Sequence, residues 1–422
     1  MRYANYKLTG VRKFPSIPAE WDVRRVKNFA VISHGSDPKT EGDIPVYGSG
    51  DSAFKSCGEF KVGPVVLIGR KGATLHIPHY VEGKYWNVDT AFDVRVVSGN
   101  DLRWFYYLAQ CFDYALYVSQ TTLPSMTQSN YNNMRVPYPP LATQRAIVAY
   151  LDEKCGKVDR LVAAKEKEAA LLKELKQSMI AEAVTRGISH AESAECAEGV
   201  SSPRSLRSPR ENNRRLVPSG IPWLPEVPEG WEVRRLASLF CDNAKQNKDF
   251  AYTRALKFNY GTLVPKNEVG EPEEYRDVYV KYTVLQENDI VINGLNLNYD
   301  FNSLRVACSP CDGIITSAYI VCRPRDGVES PYFTYLFKAM DYRKMFHGMG
   351  TGIRLTLSFN ELRWQMLPIP PLAEQREIVA YIEARAAKID AAVKGLEREV
   401  AVLKEYKQRL IADVVTGQRK VA

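Results

Sequence analysis

A few short clusters carry side chains that could do chemistry, and none of them forms a complete set. The loop at residues 47–51 has the glycine content of loops that hold S-adenosylmethionine. Such a loop must follow a strand and open a helix, and the residues after this one read as turns and short strand. Cys308 and Cys311 make a single pair, whereas structural zinc takes four ligands. His76 and His79 have no matching group of carboxylates. The sequence therefore predicts neither an active site nor a metal site.

Other clusters have the composition of a nucleic-acid binding surface. Two cations stand together after a short apolar run, and three later loops are rich in amide and hydroxyl groups. Asn and Gln can bind adenine edges, Arg and Lys can bind guanine, and hydroxyl groups can bind phosphates. For each of these residues an ordinary polar surface loop is the alternative. The residues predicted to contact nucleic acid are Arg70, Lys71, Gln120, Thr121, Thr122, Ser125, Gln128, Lys257, Asn259, Tyr260, Asn293, Asn298 and Arg354.

The composition is that of a folded protein with a mild basic excess. Of 422 residues, 45% are hydrophobic and 25% are charged, which excludes wholesale disorder, and the length suggests two or three domains. The net charge of +8 permits a polyanionic partner without requiring one. The N-terminus lacks the apolar core of a secretory signal, and no apolar run approaches the roughly 18 residues of a membrane span, so no membrane partner is expected. Eight scattered cysteines fit a reducing cytoplasm.

The chain contains an internal repeat. Residues 18–26 recur as residues 228–236, and both copies include Trp-x-Val-Arg-Arg. Residues 139–150 recur as residues 370–381, so the shift grows from 210 positions (18 to 228) to 231 positions (139 to 370). The segments between these blocks share almost no sequence. Each half is therefore a variable module followed by a nearly duplicated one.

The duplicated segments, residues 139–187 and 370–422, predict two long helices. Prolines suit their first turns, and apolar residues recur every seven positions, as in a coiled coil. A core helix of a globular domain is the alternative, but a helix of about 45 residues would span roughly 67 Å, which is long for one. Antiparallel packing is favoured, because parallel packing would make the connecting segment retrace the helices. The predicted packing positions are Leu151, Val158, Leu172, Met179, Ile382, Ile389, Leu396, Leu403 and Leu410, and Lys165 interrupts the first series.

The variable modules read as mixed α and β structure in a similar order. A short apolar run bounded by glycines predicts a buried strand, and alternation predicts a half-buried one. Between the two halves, residues 188–218 are rich in Ala, Ser, Glu, Pro and Arg, which predicts a flexible linker. The predicted strands are residues 63–69, 91–97, 289–293 and 317–322, and the predicted helices are residues 102–109 and 331–337.

Together, the paired Trp-x-Val-Arg-Arg blocks and the paired Pro-Pro-Leu-Ala-x-Gln-Arg blocks resemble the specificity subunit of type I restriction–modification systems, over essentially the whole chain. The resemblance implies an α+β fold in which two α/β target recognition domains are held apart by two long antiparallel helices with pseudo-two-fold symmetry. It implies recognition domains at residues 1–138 and 219–369, helical spacers at residues 139–187 and 370–422, and a flexible linker at residues 188–218. The linker is longer than the repeat needs.

For function, the resemblance implies a subunit without catalytic residues. It would read double-stranded DNA and recruit two methyltransferase (modification) subunits and motor or nuclease (restriction) subunits. S-adenosylmethionine, ATP and Mg would be used by those partners, with no cofactor or metal in this chain. Because the two variable modules differ, the expected target is asymmetric and bipartite, with an unread spacer whose length the helices set. The alternative is a coiled-coil scaffold that pairs partner proteins without reading DNA sequence.

Overall fold

The chain divides into two compact units. Unit 1 comprises Met1–Lys167 and Leu396–Ala422, and unit 2 comprises Glu168–Gly395. These bounds differ from the domains drawn on the sequence, because each unit combines one variable module with part of both long helices. The computed structural model describes residues 2–119, 123–188, 214–267, 270–353 and 355–421.

Unit 1 is an α+β unit in which most strands precede the helices. Its strands are β1 (Tyr6–Val11), β2 (Phe14–Pro18), β3 (Asp22–Arg25), β4 (Ala30–His34), β5 (Ile44–Tyr47), β6 (Ala53–Cys57), β7 (Lys61–Val62), β8 (Val65–Gly69), β9 (His79–Val81), β10 (Lys84–Asn87), β11 (Ala91–Val96) and β12 (Arg135–Tyr138). Its helices are α1 (Leu102–Ala109), α2 (Tyr114–Tyr117), α3 (Gln128–Asn133) and the first part of α4 (Leu141–Arg186).

Unit 2 has a comparable order of elements. Its strands are β13 (Leu216–Ile221), β14 (Leu224–Pro228), β15 (Glu232–Arg235), β16 (Phe240–Asp242), β17 (Leu256–Asn259), β18 (Thr262–Pro265), β19 (Thr283–Leu285), β20 (Ile290–Ile292), β21 (Val306–Cys308), β22 (Gly313–Ile315), β23 (Ile320–Pro324) and β24 (Met366–Ile369). Its helices are α5 (Leu236–Leu239), α6 (Arg276–Tyr279), α7 (Ser330–Tyr342), α8 (Phe359–Leu362) and the first part of α9 (Leu372–Val415).

Each variable module has its own central four-stranded sheet, and the two sheets have the same topology although the module sequences do not align. The strand order is β4-β11-β8-β9 in unit 1 and β16-β23-β20-β21 in unit 2, with every pair antiparallel. Each variable module also begins with a hairpin, β1–β2 or β13–β14, whose register shifts at the same place in both. β3 pairs with β12 and β15 pairs with β24, so the strand after each hairpin pairs with the last strand before a long helix.

The units differ beside the central sheet. Unit 1 adds a second four-stranded sheet of order β6-β5-β10-β7, in which β5 and β10 are parallel. Unit 2 has the separate pairs β17–β18 and β19–β22 instead. The shared sheet is therefore a common frame, and the difference between the modules is concentrated in what is attached to it.

Apolar runs explain the cores. Every residue of β8 is buried, as its continuous Val, Leu and Ile run predicts. α1 packs on the sheet of unit 1 with Trp104 and Phe105 fully buried, and Asp101 caps it by accepting from the Trp104 amide at 2.9 Å. In unit 2, α7 begins with Pro331 in its first turn and buries its own aromatic face.

The end of the linker differs from the prediction. Leu216–Ile221 forms one strand paired with β14, so residues 216–218 belong to the opening hairpin of unit 2 and not to the linker. Along residues 217–221 the exposure of the residues alternates, as in a half-buried strand. The Pro, Ser and Gly of this strand match the composition of the linker, so composition alone did not separate the two. Residues 189–213 of the linker lie outside the described residues.

The long helices pair antiparallel in unit 1. The Lys407 ammonium donates to the carboxylate of Asp159 at 2.7 Å, and the Lys404 ammonium donates to Glu166 at 2.8 Å. Residue numbers therefore fall along α9 as they rise along α4.

Unit 2 repeats one of these ion pairs. The Lys176 ammonium donates to both carboxylate oxygens of Asp390, at 2.8 and 2.6 Å. At the repeat shift of 231 positions, Lys176 corresponds to Lys407 and Asp390 corresponds to Asp159. The same pair thus forms once in each unit with the roles of α4 and α9 exchanged. This confirms the predicted antiparallel helices and the internal repeat.

The predicted packing positions line the helix contacts to different degrees. Buried positions are Leu151, Val158, Met179, Ile382, Ile389 and Leu410, and half-buried ones are Leu172, Leu396 and Leu403. A second buried series alternates with them at Cys155, Val162, Ala169, Ala386 and Val393. The sequence alone did not predict this second heptad position, because alanine and cysteine mark an apolar seam less clearly than leucine does.

Lys165 occupies a seam position, where its ammonium pairs with Glu399 and its side chain is 22% exposed. We expect Lys165→Leu to raise the free energy of unfolding by about 1 kcal/mol. Burial of apolar surface outweighs an ion pair whose acidic partner is exposed. The midpoint of thermal unfolding should rise by roughly 2 to 4 °C. The matched control is Lys404→Leu, which removes an exposed pair with Glu166 and should bring no gain. Equal effects of the two changes would contradict the seam assignment.

Candidate nucleic-acid interface

In unit 1, a strand end and a hairpin come together. The Met126 amide donates to the Arg70 carbonyl at 2.9 Å, and the Gly72 amide donates to the Pro124 carbonyl at 3.0 Å. Lys71 and Ser125 face each other in an antiparallel bridge. The segment after β8 is therefore fixed against residues 123–126, which brings three of the predicted contact residues to one place.

The two cations of this site share one carboxylate. The Arg70 guanidinium lies 3.4 Å from Asp89 Oδ2 and donates to the Asp89 carbonyl at 3.1 Å, and the Lys71 ammonium also lies 3.4 Å from Asp89 Oδ2. All three side chains keep substantial exposure. Asp89, which the sequence did not mark, orients both cations and offsets part of their charge.

Ser125 and Gln128 serve the local structure. The hydroxyls of Ser125 and Ser119 lie 2.8 Å apart. The Gln128 amide donates to the Ile32 carbonyl at 2.6 Å, so this side chain ties α3 to β4. Gln120, Thr121 and Thr122 lie outside the described residues.

Unit 2 uses the same arrangement after β20. The Leu357 amide donates to the Gly294 carbonyl at 2.9 Å, and the Leu297 amide donates to the Leu355 carbonyl at 3.2 Å. Thr351 and Thr356 close the hairpin with an antiparallel bridge. A Cβ on Gly294 would lie 2.4 Å from the Leu357 carbonyl oxygen, so only glycine permits this approach.

The two predicted asparagines of unit 2 also bond within these loops. Asn293 Oδ1 accepts from the Leu295 amide at 3.1 Å, and the Asn298 amide donates to the Ile353 carbonyl at 3.3 Å. Asn298 Oδ1 is buried and has no hydrogen-bond partner among the described residues. Asn298 therefore links the two loops. Arg354 lies outside the described residues.

The β17–β18 turn borders the same loops. Lys257 and Asn259 are exposed on β17, and Tyr260 follows with a φ of +46°. A Cβ on Gly261 would lie 3.0 Å from Cβ of Leu304, which shows how closely the turn approaches residues 293–305. The predicted contact segments of unit 2 are thus neighbours.

A fully buried arginine organises this cluster. The Arg305 guanidinium donates to the carbonyls of Asn293 at 3.0 Å, Leu295 at 2.7 Å and Asp300 at 2.6 Å. The Arg305 amide donates to the Asp341 carboxylate at 2.8 Å. The sequence does not mark Arg305, because a single arginine beside a short strand carries no pattern that indicates burial.

Electrostatics differ across the two sites. Hydrogen bonds from Ser303 lower the pKa of Asp300, so this carboxylate is charged at neutral pH. Burial raises the pKa of Asp341. In unit 1, burial lowers the pKa of His79, whose ring lies 5.0 Å from that of Tyr47. His79, on β9, is therefore predominantly neutral at pH 7 and adds little positive charge to this part of unit 1.

The remaining chemical candidates stay incomplete. Among the described residues, no group of three or more His, Cys, Asp or Glu side chains could hold a metal ion. Burial raises the pKa of the Cys308 thiol, which keeps it protonated. No helix of the described ranges has the length and apolar character needed to cross a membrane.

Comparison with known proteins defines the class. The family model described as "Type I restriction modification DNA specificity domain" matches residues 18–172 and 228–400. The two matches begin at the two copies of the repeat. The chain belongs to this family.

Two similar proteins are themselves specificity subunits of type I restriction enzymes. The chain is 21% identical over 313 residues to the type I restriction enzyme EcoBI specificity subunit of Escherichia coli, covering 71% of this chain and 61% of that protein. It is 21% identical over 322 residues to the MjaVIII specificity subunit of Methanocaldococcus jannaschii, covering 71% and 66%. The matched region thus spans between three fifths and two thirds of these relatives.

A solved structure shares the fold. It is a chain from work on complex assembly and conformational transition of the type I R-M system, with a TM-score of 0.63 and 16% identity. The match covers 94% of this chain and 98% of that one.

Proposed function

We propose that this chain is the sequence-specific DNA-recognition subunit of a type I restriction–modification complex, and that each unit reads one half of an asymmetric bipartite target. One observation carries the proposal. Both units place loops on the same frame of a strand end and a hairpin, with different residues: Arg70 and Lys71 in unit 1, Asn293 and Asn298 in unit 2. A common frame with different side chains suits two readers of different sequences.

In the proposed mechanism the loops enter the major groove. Arg70 and Lys71, oriented by Asp89, would contact guanine edges or phosphates, whereas the exposed Lys257 and Asn259 would contact phosphate and adenine. The contacts of Arg70 and Lys71 with Asp89 orient these two cations before binding, which lowers the entropy lost on association.

The helices would recruit the other subunits. Leu161, Val402 and Tyr406 in unit 1 and Leu171 in unit 2 are exposed although the helices are paired, which leaves apolar surface for a partner. We propose two methyltransferase subunits there, with restriction subunits added to them. S-adenosylmethionine, ATP and Mg would act in those partners, in the cytoplasm, and this chain would have no catalytic role.

The test is methylation in cells. The chain is expressed with its methyltransferase subunits, and modified sites are mapped by methylation-sensitive sequencing. We expect one bipartite motif. Arg70→Ala with Lys71→Ala should relax one half of it, and Lys257→Ala with Asn259→Ala the other, each by about 10- to 100-fold. The exposed Leu8→Ala is the matched control and should change neither half. Methylation without any sequence preference would favour the scaffold alternative.

A further inference from the structure

Exposed apolar side chains stand on three neighbouring loops of unit 2. Tyr260 is 90% exposed, Tyr299 is 77% exposed and Ile353 is 96% exposed. Isolated exposed apolar residues are ordinary, but a group of them on one surface marks a binding site. The question is what these three residues contact.

The three loops are joined. The Asn298 amide donates to the Ile353 carbonyl at 3.3 Å, so the loops that carry Tyr299 and Ile353 touch directly. The turn that carries Tyr260 approaches the side chain of Leu304, at the far end of the Tyr299 loop. The three side chains therefore belong to one surface.

The backbone of these three loops is constrained. Tyr260, Asn296 and Leu355 have φ values of +46°, +53° and +39°, which non-glycine residues adopt only when their surroundings impose them. The Arg305 guanidinium constrains the loop that carries Tyr299 further, because it donates to three backbone carbonyls of that loop. Exposed apolar groups on a constrained backbone are suited to a partner that offers apolar surface.

DNA offers one such group in the major groove. The C5-methyl of thymine is the apolar feature of the base edges there, and adenine beside it presents a pattern that asparagine can bind. Asn259 and Asn296, both exposed, lie next to the apolar residues. We propose that Tyr260, Tyr299 and Ile353 contact thymine methyl groups in the half-site that unit 2 reads. This inference rests on the proposed function and adds the chemistry of one half-site.

The experiment removes the methyl group alone. Once the loop variants have assigned each half-site to its unit, every thymine of the target is replaced in turn by deoxyuridine. Binding is measured for the chain assembled with its methyltransferase subunits. At one or more thymines of the unit 2 half-site we expect affinity to fall about fourfold, the value of one buried methyl group. With Ile353→Ala, or with Tyr299→Ala or Tyr260→Ala, that loss should disappear at the position each residue contacts.

The controls separate this inference from the proposed function. Deoxyuridine in the unit 1 half-site should have the same effect in the wild type and in the three variants. Absence of any sequence preference would overturn the proposed function itself. Sequence-specific binding that tolerates deoxyuridine throughout the unit 2 half-site, or a penalty that persists in all three variants, would overturn only the thymine contact. So would loss of the methyltransferase subunits from Ile353→Ala with unchanged DNA preference, because the surface would then bind protein.

Discussion

Arg305→Met should lower the free energy of unfolding by about 3 to 5 kcal/mol, the range typical of breaking a buried charged network. The Arg305 side chain is fully buried and donates to three backbone carbonyls. Methionine fills similar space but provides no donor. Each carbonyl left buried without a partner costs about 1 to 3 kcal/mol, less where water replaces the guanidinium.

Arg305→Met should also weaken DNA binding. The carbonyls of Asn293, Leu295 and Asp300 mark the course of the loop that carries Asn298 and Tyr299, so loss of Arg305 releases that loop. Under the proposed function, the unit 2 half-site should lose discrimination while the unit 1 half-site keeps it. A uniform loss of binding at both half-sites would indicate global unfolding. Urea denaturation of the same sample distinguishes global unfolding from the release of this one loop.

Arg343→Met is the matched control for Arg305→Met. It removes the same charge from an exposed position just beyond the C-terminus of α7. Its free energy of unfolding, from urea denaturation, should change by no more than about 0.5 kcal/mol, as for ordinary surface substitutions. If both variants unfolded at the same urea concentration, the buried hydrogen bonds of Arg305 would have no special role in stability.

Local patterns in the sequence were sufficient to predict the long helices and the buried strand β8. The seven-residue period around Ile382 and Ile389 predicts a long helix, because that period has no other common structural meaning. The apolar run of β8 predicts a buried strand for a similar reason. The order of strands within each central sheet could not be predicted, since the pairing of β11 with both β4 and β8 joins residues far apart in sequence, which no local pattern reports.

The candidate sites show the same division. Composition indicated the loops that carry Arg70 and Asn293, since amide and basic residues are dense there. Composition could not show that Asp89 pairs with Arg70, or that the Gln128 amide donates a hydrogen bond to the Ile32 carbonyl. These roles depend on which loops the fold brings together. A residue type predicts what a side chain can bind, and only packing decides what it does bind.

Removal of one heptad from both long helices should have the second large effect. Each helix is a single run, Leu141–Arg186 and Leu372–Val415, and both take part in both units. Deletion of residues 164–170 and 395–401 keeps the seven-residue phase of the seam. It removes the pair of Lys165 with Glu399 and keeps the duplicated lysine–aspartate pair in each unit.

Under the proposed function, the expected result is a shorter spacer in the DNA target. Seven residues correspond to about 10 Å of helix, or about three base pairs. Affinity should also fall, because three base pairs turn the second groove by roughly a third of a helical turn. Binding to targets with every spacer length, measured on one pooled library, gives the preference directly.

Two further measurements make the heptad deletion decisive. Circular dichroism should show that the deleted protein keeps its helices and unfolds cooperatively. Deletion of residues 164–170 alone keeps the heptad phase but leaves α4 one heptad shorter than the segment of α9 that pairs with it. The lysine–aspartate pairs of the two units could then not form together, and specific binding should be lost. A folded double deletion that still prefers the original spacer would mean that the loops, and not the helices, set the distance between half-sites.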